Sequence, residues 1–121
     1  MLRLAARPLG WAVRTEMLRS NLSQVDDYIR QFVREPGVRS LILVGKDGRV
    51  LLASDRKLET QGAAQLVSKA IREAIDVVVE ESGDSTRIGV PIMGFDDRLG
   101  VLVVDYAPQT QQDSQTGTKA P

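Results

Sequence analysis

Apolar residues return at Leu18, Leu22, Val25, Ile29 and Phe32, alternating steps of four and three residues. Trp11 extends the stripe one heptad earlier. That spacing is the period of a core-facing stripe and of a coiled-coil seam. It predicts one long helix from Gly10 to Glu35, with Arg19, Ser23, Asp26, Asp27 and Arg30 on its polar face. The stretch Glu35-Pro36-Gly37 ends it, because proline disfavours helical geometry in the residue before it and glycine permits the turn.

The pattern then changes period. Val38 to Val44 is apolar on both faces apart from Arg39 and Ser40, which predicts a central strand. Asp47-Gly48 signals a hairpin into a second strand, Arg49 to Ala53. After the polar loop Ser54–Gly62, a helical repeat runs through Ala63, Leu66, Val67, Ala70, Ile71 and Ala74. Strands Asp76–Glu80, Thr86–Ile92 and Leu99–Tyr106 follow, joined at Ser82-Gly83-Asp84 and Gly94-Phe95-Asp96-Asp97. Long helix, hairpin, helix and meander together predict an α+β fold with a single five-stranded antiparallel sheet. The domain is expected over 12–106, behind a flexible N-terminus (1–11). The segment 107–121 has no Val, Ile, Leu, Met or aromatic residue and is expected to be a disordered tail.

Composition narrows the chemistry. The chain has 121 residues, room for one domain, and 16 basic against 16 acidic residues. Zero net charge gives no bulk attraction to nucleic acid, so no nucleic-acid partner is expected. Cys and His are both absent, which excludes disulfides, thiol nucleophiles, imidazole bases and Cys/His zinc sites. No hydrolase elbow, phosphate loop or dinucleotide fingerprint is present. The expectation is a non-enzyme without cofactor. Asp26-Asp27 and Asp96-Asp97 lack the ligand spacing of a calcium loop, so no metal is expected either. No apolar run approaches the roughly 20 residues of a spanning helix. Arg7 interrupts the apolar N-terminus, so no export signal is expected. Localisation would be cytoplasmic for a full-length chain and extracytoplasmic for a fragment of a membrane receptor.

Two sets of residues are candidates for function. Trp11, Leu18, Leu22 and Val25 are the expected homodimer seam, with Ile29 and Phe32 turned to the core; the alternative is that the whole stripe packs on the domain's own sheet. Ser54 and Arg56, beside Asp55 and Lys57 at the exit of the second strand, would hold a small anionic or polar ligand near the Asp55–Gly62 loop. Ser54 or Asp55 closing a turn is the plainer use. Arg87 lies on the strand face opposite Ile88, Val90 and Ile92; turned inward it would pair with a carboxylate ligand, and turned outward it is an ordinary surface charge. Pro91 cannot donate to a ladder, so its nitrogen should face an edge, a bulge or a ligand. Tyr106, at the last strand's end, caps the core or reaches the pocket.

The order of these pieces resembles Cache domains, PAS-like extracytoplasmic sensor modules. The resemblance rests on the long first helix, Leu41–Val44, Asp47-Gly48, Val50–Ser54, the glycine-containing loop, Val90-Pro91-Ile92 and Leu99-Gly100-Val101, and covers roughly 12–106. It implies a PAS-like or profilin-like sheet that binds a small ligand between sheet and helices. It also implies a first helix that carries the signal to an output domain or signalling partner not identifiable here. Histidine kinases, chemoreceptors and nucleotide-cyclase regulators are the usual contexts. The chain is also similar to roadblock-type domains, scaffolds that dimerise and regulate Ras-like small GTPases. That family ends in a third helix, which the residues after Tyr106 are not suited to form.

Overall fold

The structure, a computed structural model, describes residues 2–107. Its elements are helices α1 (Leu2–Leu18) and α2 (Leu22–Phe32), strands β1 (Val38–Gly45) and β2 (Val50–Ala53), 3-10 turns at Arg56–Leu58 and Ala63–Gln65, helix α3 (Lys69–Arg72), and strands β3 (Val78–Ser82), β4 (Ser85–Met93) and β5 (Arg98–Tyr106). The strands form one open sheet in the order β2-β1-β5-β4-β3, antiparallel at every step. This is the expected α+β class with one five-stranded antiparallel sheet. The tail expected from residue 107 lies outside the described residues except for Ala107, whose N–H donates to the Gly37 carbonyl at 2.8 Å.

Strict alternation along the strands covers both faces of the sheet. Leu41, Leu43, Ile88, Val90, Ile92, Leu102 and Val104 meet Val13 of α1 and Val25 and Ile29 of α2. On the other face Ile42, Val44, Val50, Val101 and Val103 meet Ala63, Val67 and Ile71 of the β2–β3 connector. The Asp47-Gly48 hairpin forms as its residues require. Gly48 has a φ of +84°, and Asp47 Oδ1 accepts the Arg49 N–H at 3.0 Å.

The single long helix of the sequence reading is two helices. Ser20, at φ +59°, ends α1 with its N–H on the Met17 carbonyl (3.0 Å), while the Asn21 N–H reaches the Glu16 carbonyl (2.8 Å). These are the paired bonds of a Schellman stop. Asn21 then starts α2, its side chain accepting the Gln24 N–H. The stop resets the helical phase. In α1 the stripe in contact with the sheet is Leu9, Val13 and Met17, and in α2 it is Val25, Ile29 and Phe32, continued by Val33 at the C-cap. The helix also starts at Leu2, inside the stretch read as a flexible lead. Because Ser20 carries a Cβ into left-handed backbone, Ser20→Gly is expected to stabilise the domain by about 0.5–1 kcal/mol in urea unfolding. A loss on that change would mean Ser20 makes a contact that outweighs its strain.

The connector differs too. Over the expected helical repeat from Ala63 to Ala74 it holds a 3-10 turn and one short helix. Ser68 caps Ile71 N–H at 3.3 Å, and Arg98 donates to the Ala74 carbonyl (2.8 Å) and the Arg72 carbonyl, which closes α3. Ala63, Val67 and Ile71 still face the sheet. The apolar spacing reported burial, while polar side chains set the backbone. Strand β3 begins at Val78, two residues later than Asp76.

Candidate functional site

The predicted ligand residues are not brought together. Ser54 continues the edge strand β2: its N–H donates to the Leu41 carbonyl at 2.8 Å and its Oγ accepts the Leu41 N–H at 3.0 Å. Arg87 stands on β4, with β1 and β5 between, a separation of roughly 14 Å at ordinary strand spacing. The connector, whose Asp55–Gly62 loop was expected beside the ligand, is packed onto the sheet through Leu58, Ala63, Leu66 and Val67.

Arg56 is already engaged. Its guanidinium lies 3.0 Å from Asp26 Oδ2 and 3.5 Å from Glu59 Oε2. Arg30 completes the group, donating to the carbonyls of Ala53 and Ser54 (both 2.8 Å) and to Asp26 Oδ1 at 3.2 Å. Two acids meet two guanidinium groups and tie α2 to the exit of β2. Burial alone would raise the Asp26 pKa, but hydrogen bonds and charge from Arg56 and Arg30 outweigh it and hold the carboxyl below its ordinary 3.8.

Arg87 lies on the connector face, as alternation requires. It donates to the Leu66 carbonyl at 2.8 Å and sits 3.5 Å from Asp105, its cross-strand neighbour. Gly89 is where α3 approaches β4: a Cβ there would lie 2.6 Å from Ile71 Cγ2. Tyr106 covers Gly37, whose absent Cβ leaves room for the ring. Of the expected dimer seam, Val25 is fully buried in the core, Leu18 is half-buried, and Trp11 (67% exposed) and Leu22 (40%) face outward.

A concave site lies elsewhere, at the far edge of the sheet. The β3–β4 pairing ends at Val78–Gly89, so Val90 to Met93 of β4 pair with β5 alone. Pro91 falls on that open edge, where its missing donor costs no ladder bond. Between this edge, α1 and the segment before β3 is a cleft of about 350 Å³. Gly10, Trp11 and Arg14 form one wall and Ile75, Asp76 and Val77 another, with Val90, Pro91 and Met93 along the strand. A Cβ on Gly10 would stand 3.0 Å from Val90 Cγ1, so glycine lets α1 settle close to β4 there.

Arg14 is the polar centre of this cleft. Its Nε donates to the Met93 carbonyl at 2.7 Å, and its guanidinium lies 5.4 Å from the Trp11 ring centroid and 5.7 Å from that of Phe95. Among the described residues its two terminal nitrogens make no hydrogen bond. On the facing wall Asp76 Oδ1 accepts the Val77 N–H. The lining thus offers one cation, one anion and broad apolar walls, the chemistry of recognition. Pro91 and Trp11 were singled out in the sequence, one as a ligand residue and the other as a dimer residue. Arg14 and Ile75–Val77 were missed, although Trp11 and Arg14, three apart on a helix, share a face.

No protein-family model matches the chain, and no curated protein matches it in sequence.

Proposed function

We propose that this chain is a non-catalytic sensing domain of the PAS-like kind, binding a small anionic or polar molecule with an apolar body. Its site is the cleft between α1 and the open edge of β4. The observation that carries the reading is Arg14, held in place by the Met93 carbonyl and two aromatic rings, with its terminal nitrogens unbonded among the described residues and so open to a ligand. Strength comes from the apolar walls and orientation from the guanidinium. Helix α1 forms one wall, so occupancy bears directly on the element that carries the signal in the Cache-like reading. The hairpin, connector and meander on one antiparallel sheet agree with that layout.

The test is a thermal-shift screen of small carboxylic acids, amino acids and phenolic acids. A specific ligand at 100 times its Kd adds about 2.7 kcal/mol, a rise of several degrees in Tm. Arg14→Gln should remove the rise, and Arg56→Ala should leave it intact. A hit lost on Arg56→Ala or Arg87→Ala but kept on Arg14→Gln would move the site to the connector face. A broad screen without a hit would overturn the sensing reading.

The roadblock-like scaffold reading is favoured by one observation, the exposed apolar rim of the same cleft. Capture of a small GTPase by the chain, lost on Trp11→Ala, would decide for it.

A further inference from the structure

The rim of the cleft carries more exposed apolar surface than a small ligand covers. Trp11 is 67% exposed, Ile75 81%, Phe95 85% and Met93 41%. They are contiguous, because Trp11, Ile75 and Met93 share the cleft and Phe95 joins through Arg14. Together they expose on the order of 500 Å² of side chain, at the upper end of what monomers leave open. That suffices for the apolar centre of a standard interface of about 800 Å² per partner.

We propose that a second copy of this chain covers the rim in a two-fold dimer. Charge complementarity selects that occupant. Arg14 stands on the α1 wall and Asp76 on the facing wall, and neither is in an ion pair among the described residues. With Arg14 on one wall and Asp76 on the other, the patch is complementary to itself under a two-fold axis. Arg14 of each copy then meets Asp76 of the partner subunit. An anionic lipid surface fits less well, because Asp76 follows Ile75 directly and Asp96-Asp97 follow Phe95. Edge-to-edge strand pairing is blocked, since Pro91 offers no donor and Arg14 occupies the Met93 carbonyl. The contact is therefore one of side chains. This dimer uses α1 through Trp11 but not Leu18, Leu22 or Val25, and it leaves the buried Gly10 and Val90 of the cleft beneath the partner. The pairing stands without any ligand. Only the closing of the cleft over one rests on the sensing reading.

Sedimentation velocity on the full chain is the test. The wild type should be dimeric at micromolar concentrations, and Phe95→Ser or Ile75→Ser should weaken association about ten-fold or more with an unchanged far-UV spectrum. Arg14→Glu and Asp76→Arg should each be monomeric alone. Mixed in equal amounts they should pair, because both contacts then join opposite charges. If Arg14→Glu fails to fold, the serine variants still decide. A wild type that stays monomeric into the hundreds of micromolar overturns the proposal. So does a dimer indifferent to Phe95→Ser and Ile75→Ser, a mixture that does not re-associate, or a monomer that partitions onto anionic vesicles through Trp11. A dimer without any ligand hit in the thermal screen would sustain the pairing and remove the sensing role.

Discussion

Alanine in place of Ile29 is expected to cost about 2–5 kcal/mol of stability, while the same change at Leu22 costs less than about 1 kcal/mol. The two residues lie on one 3.5-residue stripe in the sequence, yet the fold treats them differently. Ile29 is fully buried between α2 and the sheet, in the cluster that holds Leu41, Leu43 and Leu102. Removing its side chain beyond Cβ leaves a cavity in a close-packed layer and forfeits the contacts around it. Leu22 stands at the first position of α2 with 40% of its surface in water. Truncation there leaves no cavity. Urea unfolding of the two variants at one protein concentration, with m-values compared, measures both. Equal losses at the two positions would mean that the stripe is buried along its whole length, as a seam shared with a second chain would bury it.

The frame of the fold was legible because local chemistry and tertiary structure agree there. Asp47-Gly48 makes its hairpin, Leu41–Val44 is buried on both faces, and Arg87 lies opposite Ile88, Val90 and Ile92. Pro91 was expected to face an edge, a bulge or a ligand, and β4 has an open edge beside it. The failures share a cause. The stripe through Leu18 and Leu22 ran across Ser20-Asn21, where a stop followed by a cap resets the helical phase. The cue was present in Asn21 with Gln24 three residues on, but a weak cap signal yields to a strong periodicity when both are read locally. The connector was read as one helix because Arg98, which closes α3, is 26 residues from Arg72 in the chain. The cleft is drawn from residues 10–14, 75–77 and 90–93, three segments that only the strand order makes neighbours. Arg56 had the chemistry of an anion site, but Asp26, thirty residues earlier, had already taken that place.

Arg30→Ala is expected to cost about 2–4 kcal/mol, and Arg56→Ala less than about 1 kcal/mol, although both guanidinium groups touch Asp26. Arg30 has 29% of its side chain in water against 60% for Arg56. Arg30 also supplies the bonds to the carbonyls of Ala53 and Ser54, where β2 leaves the sheet. Its removal leaves two carbonyls and a half-buried carboxylate short of partners. Arg30→Lys should recover little, since an ammonium does not reproduce the fork that reaches Ala53, Ser54 and Asp26 together. The same cluster sets a pH dependence. The folded pKa of Asp26 lies below its ordinary 3.8, so the folded state prefers the ionised carboxyl more than the unfolded chain does. Its contribution is therefore complete above pH 3.8 and disappears as the pH falls through the folded-state value. Unfolding free energies measured from neutral pH downward should fall on acidification in the wild type. They should fall less steeply in Arg30→Ala and Arg56→Ala, where Asp26 returns toward its ordinary pKa. Identical acid slopes in all three proteins would place the acid sensitivity at other carboxylates and leave the Arg30 bonds to the strand-end carbonyls as the cluster's contribution to the fold.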